Sequence, residues 1–407
     1  MNFWGVTGTN GKTTTTWIAA AFINADPSRK CGYVTTVEVI TGSRQFYTGY
    51  TTPPLNQLKE IFAEMEANGC TDCVMEVSSH AIHQHRTGDT VFSGGVFTNL
   101  SEDHLDYHKT MAAYFDVKLD FARQIAAAHR TTPDMGRRDL PPYVVCLDGG
   151  YGREMFNAVG NLAVNVIPVT TGESGANGRA RSPAAPQPNY DLSGLKLVGS
   201  YNRSNVLCAA ALAEAAGVPH DAIQAVIPTL KPRWGRLEEV KSKSEEVKGR
   251  VFVDFAHTPD GLEKVLTAVR KEMFQAIDAK RQALSAKHSL WVVFGAGGDR
   301  DPMKRPLMGE ACAKLADRLV VTSDNPRSEE PMAIIEAILG GIGGDRRQAA
   351  VVEPDRKAAI EFALREAAEG DVVIIAGKGH ETTQEIKGVK YPFDDREVVR
   401  NFKGETR

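Results

Sequence analysis

No stretch of this chain is apolar for the roughly 20 residues that a helix needs to cross a bilayer. The N-terminus has no basic segment ahead of a long apolar one of the kind that directs secretion. A cytoplasmic protein with no membrane partner is expected. Cysteine is scarce: six stand in 407 residues, at 31, 70, 73, 146, 208 and 312, too scattered for a disulfide framework. Cys70 and Cys73 form one Cys-x-x-Cys, yet no second pair stands at zinc spacing and an apolar run follows directly. A packed or surface thiol pair is the preferred reading over a metal or redox site. Neither sign of charge dominates, since 48 Lys and Arg face 51 Asp and Glu and leave a net charge of −3. That balance argues against a general nucleic-acid or membrane-surface role. What is left is an ordinary globular composition, with length for two or three domains.

The chain is organised around its first sixteen residues. A short apolar run, Phe3-Trp4-Gly5-Val6, enters Thr7-Gly8-Thr9-Asn10-Gly11-Lys12-Thr13-Thr14 and then an amphipathic segment over 17–23. Strand, glycine-rich turn and helix in this order make a phosphate loop. The glycines let backbone N–H groups turn inward, the helix N-terminus adds positive potential, Lys12 reaches terminal phosphates and the Thr13 hydroxyl can ligate magnesium. The general pattern wants a glycine where Val6 stands, and Gly8 is the nearest match, so the turn is tighter than usual. A nucleoside triphosphate is the expected ligand.

Further strands are expected over 31–40, near 46–47, and over 73–77, 95–100, 144–147 and 164–169, with helices over 55–67, 111–122 and 206–216. The adjacent hydroxyls of Thr51 and Thr52 precede two prolines; they suit an anion, or, more simply, a helix cap. Glu76 ends an apolar strand, where a carboxylate is costly unless paired or bound to metal. Ser78-Ser79-His80 with Gln84, His85 and Arg86, and the run 101–108 containing Asp103 and His104, lie where open α/β sheets bind ligands. Lys118 falls within the apolar stripe of its helix. An inward lysine loses its proton readily and a neutral amine can take up carbon dioxide as a carbamate, but spacing alone favours a snorkelling structural lysine. The segment 171–187, rich in Gly, Ser, Ala and Pro, reads as a mobile surface loop. Asn202 and Asn205 stand one turn apart at the start of the helix over 206–216, placed for capping or for reading a base edge, with capping the default.

The main boundary is expected just before Arg236, dividing the chain into 1–235 and 236–407. Beyond a charged segment over 241–250, strands over 250–255, 290–294, 318–322 and 371–376 each end in a charged turn containing Gly or Pro. Four such turns on one sheet edge build a site. The fold class is therefore α/β, a phosphate-loop domain with a mostly parallel sheet followed by a Rossmann-like α/β domain.

These residues resemble the Mur ligase family. Gly8-Thr9-Asn10-Gly11-Lys12-Thr13-Thr14, Glu76-Val77-Ser78-Ser79-His80, Asp103-His104-Leu105-Asp106-Tyr107-His108, Lys118, Tyr201-Asn202-Arg203-Ser204-Asn205, Gly235-Arg236-Leu237-Glu238, Asp254-Phe255-Ala256-His257-Thr258-Pro259-Asp260 and Gly377-Lys378-Gly379-His380-Glu381 look like family motifs in family order. The resemblance runs from residue 3 to about 400. Asp324-Asn325-Pro326-Arg327 resembles the form that selects meso-diaminopimelate, since lysine-adding members differ at the arginine. The resemblance implies a monomeric, ATP- and Mg2+-dependent ligase of peptidoglycan synthesis. It would join meso-diaminopimelate to the muramoyl-peptide acceptor UDP-N-acetylmuramoyl-L-alanyl-D-glutamate through an acyl phosphate.

It further implies that Gly8, Thr9, Asn10, Gly11, Lys12, Thr13 and Thr14 hold ATP with Asn202, Asn205, Arg236 and Asp254. Thr13, Glu76, His104 and a carbamylated Lys118 would hold metal, and Lys12, Glu76, His104, Lys118 and His257 would form the catalytic group. Thr51, Thr52, Ser78, Gln84 and Arg86 would bind the acceptor. Arg300, Asp324, Asn325, Pro326, Arg327, Gly377 and Glu381 would bind the diaminopimelate. Members with this activity carry a UDP-gripping domain ahead of the loop, whereas here the loop begins almost at Met1 and Tyr50 replaces a usual asparagine. The expectation is that this domain is missing, is supplied by a partner chain, or is not needed by the acceptor. The alternatives are the same chemistry on a nucleotide-free muropeptide or another poly-acid, or a non-catalytic scaffold.

Overall fold

The computed structural model describes residues 1–129, 136, 139–172, 189–274 and 288–404. They form two compact units, Met1–Leu230 and Lys231–Arg407. The division precedes the expected boundary by a few residues because Gly235 already packs in the second unit: a Cβ on it would overlap the backbone of Gly379.

In the first unit β1 (Asn2–Thr7) is buried from Trp4 onward and lies between two parallel neighbours, as a near-continuous apolar run requires. The sheet runs β4 (Gln45–Phe46), β3 (Val39–Ile40), β2 (Cys31–Val34), β5 (Asp72–Glu76), β1, β6 (Phe92–Phe97), β7 (Pro142–Cys146), β8 (Asn165–Val169). All pairs are parallel except β2 with β3 and β3 with β4. The single strand expected over 31–40 is broken. Thr35 Oγ1 accepts from the N–H groups of Val37 and Glu38, and Thr35 N–H donates to Glu38 O, so the chain reverses.

The helix Lys12–Ile23 was expected to be amphipathic, but every residue of it except Lys12 and Ala21 is buried. It packs against the sheet and against the helix Ser200–Ala215 on its other side. The helix Leu55–Ala67 forms where the spacing of Leu58, Ile61, Phe62 and Met65 predicts it. The helix Met111–Ala128 runs six residues beyond its expected end, and its start is capped by Thr110, whose Oγ1 accepts from Ala113 N.

The second unit carries the sheet β13 (Val351–Val352), β12 (Arg318–Val321), β11 (Leu290–Phe294), β14 (Val372–Ala376), β10 (Arg250–Asp254), β9 (Glu238–Glu239), in that order. Only the edge strand β9 is antiparallel. The carboxyl ends of β10, β14, β11 and β12 therefore share one edge, where the four charged turns project. A hairpin, β15 (Thr383–Ile386) with β16 (Val389–Pro392), follows the last of them. All six cysteines are buried free thiols, so the Cys70 and Cys73 pair is packed rather than surface-lying. The loop expected over 171–187 lies, from 173, outside the described residues. Among the described residues no helix is long and apolar enough to cross a membrane.

Candidate active site

In the first unit the turn after β1 is held open by its own sequence. Gly8 has φ 145°, and a Cβ there would overlap Thr98 Oγ1; Gly11 has φ 83°, and a Cβ there would overlap Asn205 Oδ1. The end of β6 clamps the turn from outside. Asn99 O accepts from Thr9 N–H at 2.9 Å, Asn99 Oδ1 from Asn10 N–H at 3.0 Å, and Asn10 O takes Thr98 Oγ1 at 2.7 Å. Lys12 folds back over the loop, its ammonium donating to the carbonyls of Gly8 and Thr9 at 3.0 and 2.8 Å. Thr13 and Thr14 are buried at the start of the following helix. Thr9 Oγ1 meets the hydroxyl of Tyr114 at 3.1 Å, tying the loop to the helix that carries Lys118.

Lys118 is fully buried, so it does not snorkel. Its ammonium reaches Thr7 Oγ1 at 3.4 Å and stands 4.9 Å from the ring of Tyr114. No salt bridge to a carboxylate is formed by Lys118 among the described residues. Burial first, and the charge of Lys12 second, hold its pKa well below the ordinary 10.5. The amine is thus biased to its neutral, nucleophilic form. Glu76, at the end of β5 and opposite Val6 of β1, is not an orphan: Thr36 gives it a backbone N–H at 2.7 Å and a hydroxyl at 3.2 Å. His104 sits in the left-handed region at φ 55° beside Asp103, with 3.4 Å between its Nε2 and Asp103 Oδ2. Burial pushes its pKa down to about 4 against the pull of Asp103, so its imidazole is neutral at pH 7.

Asn202 and Asn205 lie inside the helix Ser200–Ala215 rather than ahead of it, and neither caps it; Gly199 stands at the cap. Asn202 Nδ2 donates to Val198 O, and Asn205 links Thr15 Oγ1 at 3.4 Å to Asn202 Oδ1 at 3.3 Å. The Thr pair is no cap either. Thr52 Oγ1 donates to Glu76 O at 2.8 Å and accepts from Ser78 N–H at 3.0 Å, while Thr51 Oγ1 accepts from Thr36 Oγ1. Arg86 joins the same cluster by donating to Thr52 O at 3.1 Å and, through Nε and Nη2, to Gln84 Oε1. All five residues expected at the acceptor are thereby gathered into one hydrogen-bonded chain.

In the second unit Asp254 is buried at the end of β10. It accepts from the N–H groups of Leu237 and Ala256 at 2.6 and 2.7 Å. Burial raises its pKa against the opposing charge of Arg236, whose guanidinium lies 4.5 Å over the ring of Phe255. His257 Nδ1 meets Phe255 O at 2.8 Å. At the ends of β12 and β14, Asn325 Nδ2 donates to Glu381 Oε2 at 2.8 Å, and a Cβ on Gly377 would crowd Asp324 Oδ2. Pro326 is buried and holds the turn, and Arg327, at φ 52°, donates to Gly298 O at 2.6 Å and pairs with Glu385 at 3.7 Å. Arg300 is exposed and is not drawn into this cluster.

Several side chains that hold these groups carried no signal of their own. Thr36, Thr98 and Asn99 are ordinary strand-end polar residues. Arg356 and Asp395, 39 residues apart, form a fully buried bidentate pair that also reaches Ser323 O and Ala376 O. Lys378, visible only as the lysine between two glycines, is completely buried.

Among the described residues no three of His, Cys, Asp and Glu gather as a metal cage. Magnesium does not ask for one: it keeps waters and substrate phosphates and takes one or two protein carboxylates. The Thr13 hydroxyl and the Glu76 carboxylate are oxygen donors of that kind, so the residues present fit the ion.

A tight phosphate loop closing a central strand of a mostly parallel sheet defines a nucleoside-triphosphate-binding unit, and a second mostly parallel sheet carries charged turns on its carboxyl edge. The model of the Mur ligase middle domain matches residues 6–213, and that of the Mur ligase glutamate ligase domain matches 235–379. The chain belongs to the Mur ligase family, whose members are ATP-dependent amide ligases. It is 39% identical to the UDP-N-acetylmuramoyl-L-alanyl-D-glutamate–2,6-diaminopimelate ligase of Synechococcus elongatus, over 97% of this chain and 75% of the relative. It is 37% identical to the ligase of the same name from Aquifex aeolicus, over 99% and 78%. A solved structure of such a ligase superposes with TM-score 0.57 at 30% identity, covering 98% of this chain and 77% of the other. Folylpolyglutamate synthase of Mycobacterium tuberculosis shares the fold, with TM-score 0.60 at 19% identity over 92% and 88%.

Proposed function

We propose that this protein joins meso-diaminopimelate to UDP-N-acetylmuramoyl-L-alanyl-D-glutamate, with ATP converted to ADP and phosphate, in the synthesis of peptidoglycan. The observation that carries the chemistry is the phosphate loop with the buried Lys118 behind it, which forms no salt bridge among the described residues; relatives 35–39% identical over nearly the whole chain carry the choice of substrates. The loop N–H groups and Lys12 hold the terminal phosphates of ATP. The acceptor's end carboxylate, oriented by Thr51, Thr52, Ser78, Gln84 and Arg86, attacks the γ-phosphorus and ADP leaves. The amine of the second substrate then attacks the acyl phosphate, and the tetrahedral intermediate expels phosphate to leave an amide.

From the first unit Asn202 and Asn205 serve the nucleotide; from the second Arg236 and Asp254 serve it, with His257 in the same strand-end turn as Asp254. Asp324, Asn325, Arg327, Gly377 and Glu381 receive the diaminopimelate, whose distal end offers an ammonium to a carboxylate and a carboxylate to a guanidinium. Magnesium would be held by Thr13, Glu76 and His104 and by a carbamate on Lys118, and when bound it would supply charge neutralisation at the phosphoryl oxygens. The test is phosphate release with ATP, Mg2+ and the UDP-muramoyl dipeptide, comparing meso-diaminopimelate with L-lysine. Turnover with the first and not the second is expected. Turnover with both, or with neither, would overturn the assignment of substrates.

A further inference from the structure

The turn from 324 to 327 and the turn from 377 to 381 are joined by a side chain that cannot itself meet a ligand. Lys378 is wholly sealed from solvent, while Glu381 is 32% exposed. The Lys378 ammonium donates to Asn325 Oδ1 at 3.1 Å and to Glu381 Oε2 at 2.8 Å, and stands 4.0 Å from Asp324 Oδ1. Asn325 is thereby left one orientation. Its Oδ1 also accepts from Glu385 N–H at 2.9 Å, while its Nδ2 donates to Glu381 Oε2 at 2.8 Å. Turning the amide over would set its N–H2 against an ammonium and a backbone N–H and its oxygen against a carboxylate.

The two donors both fall on Oε2 of Glu381; among the described residues Oε1 takes none. Charge runs the same way. Asp324 and Glu381 carry two negative charges against the one positive charge of Lys378, because Arg356 is matched by Asp395 at 2.8 Å. One negative charge is left over on the cluster as a whole.

We propose that Lys378 is a positioning residue for the amine substrate. It locks Asn325 and Glu381 in one arrangement that presents a single carboxylate oxygen, with one net negative charge, to a primary ammonium. This rests on the reading that these turns receive the amine. The lysine acts through its neighbours: without it, Asp324 and Glu381 repel each other, Asn325 loses its orienting donor and the ammonium meets a disordered acceptor.

The experiment is steady-state kinetics of the full chain carrying Lys378→Met, and separately Asn325→Asp, which sets a second carboxylate against Glu381. In each, KM for the amine is expected to rise roughly 10- to 100-fold, with KM for ATP and for the acceptor within about threefold of the parent. A side chain that only supports the fold would move all three constants or none. An unchanged amine KM, or an equal rise in all three, overturns the proposal. If Lys378→Met does not fold, Asn325→Asp decides on the same criterion. Wild-type turnover with a different amine would remove the diaminopimelate assignment, and the same comparison is then made with that amine. If no amine is turned over, crystal structures of the parent and of Lys378→Met decide: Asn325 and Glu381 unmoved in the variant overturns the proposal, and their displacement bears it out.

Discussion

Replacing Gly11 by Ala tests whether the phosphate loop is shaped by its contact with the helix that carries Asn205. The φ of 83° costs any residue with a Cβ about 1–2 kcal/mol. The new Cβ would also overlap Asn205 Oδ1 and stand 3.2 Å from Asn205 Cγ. Asn205 must then swing away and give up its bonds to Thr15 Oγ1 at 3.4 Å and Asn202 Oδ1 at 3.3 Å. At about 0.5–1.5 kcal/mol each, these bring the expected loss to about 2–5 kcal/mol. Gly69→Ala is the internal control, since Gly69 has φ 74° with nothing within 4 Å of its Cβ position. It should cost only the backbone part, about 1–2 kcal/mol. Urea unfolding followed by tryptophan fluorescence gives both numbers, because Trp4 and Trp17 are buried in the first unit. In an Asn205→Ala background the overlap is gone, and Gly11→Ala should fall to the value of the control. Equal losses for the two glycines in the parent background would refute the argument.

Lys118→Ala should lower kcat by roughly 10²-fold or more, and added short carboxylates should restore part of it; full activity would remove the carbamate. Lys118→Met, in carbon dioxide-depleted buffer, should stabilise the fold at pH 7 by about 1–3 kcal/mol, because a buried amine whose one hydrogen bond among the described residues is the long one to Thr7 Oγ1 is costly. The folded pKa of Lys118 lies below its ordinary 10.5, so between those values the unfolded chain binds the extra proton and parent stability rises with pH. The advantage of Met should therefore shrink between pH 7 and pH 10 in urea melts, and a constant advantage would contradict the assigned shift. Arg356→Met leaves Asp395 buried and alone and should destabilise the second unit by about 3–5 kcal/mol; the double variant with Asp395→Leu should recover much of that in thermal melts. A double variant no more stable than the single one would show that the pair is not the cause.

The groups proposed for the chemistry are the legible part of the candidate site, because each stands at a strand end in a motif of its own. Glycines at 8 and 11 ahead of Lys12, Glu76 closing an apolar strand, and the turn from 324 to 327 could all be found that way. Lys118 was visible as an inward lysine but not as a buried one, since spacing says which face a residue takes and not what covers that face. Asn202 and Asn205 read as caps when the helix is taken to start at 206; beginning at Ser200, it puts Asn205 against the loop at Gly11 and Asn202 behind Asn205. The break at Thr35 leaves no mark on the pattern because its cause is a hydroxyl bond to nearby N–H groups within an otherwise strand-like run.

Local pattern by itself determined the α/β class, the two-part organisation, the phosphate loop and the presence of four charged strand ends. These follow from periodicity and backbone restriction over a few residues, which the sequence states directly. Only the tertiary structure decided which distant side chains hold those groups in place. Thr36 on Glu76, Asn99 on the loop, Arg356 on Asp395 and Lys378 on Asn325 are pairings across sheet neighbours or across tens of residues. Strand order sets them, and strand order comes from the packing of whole layers rather than from any one segment.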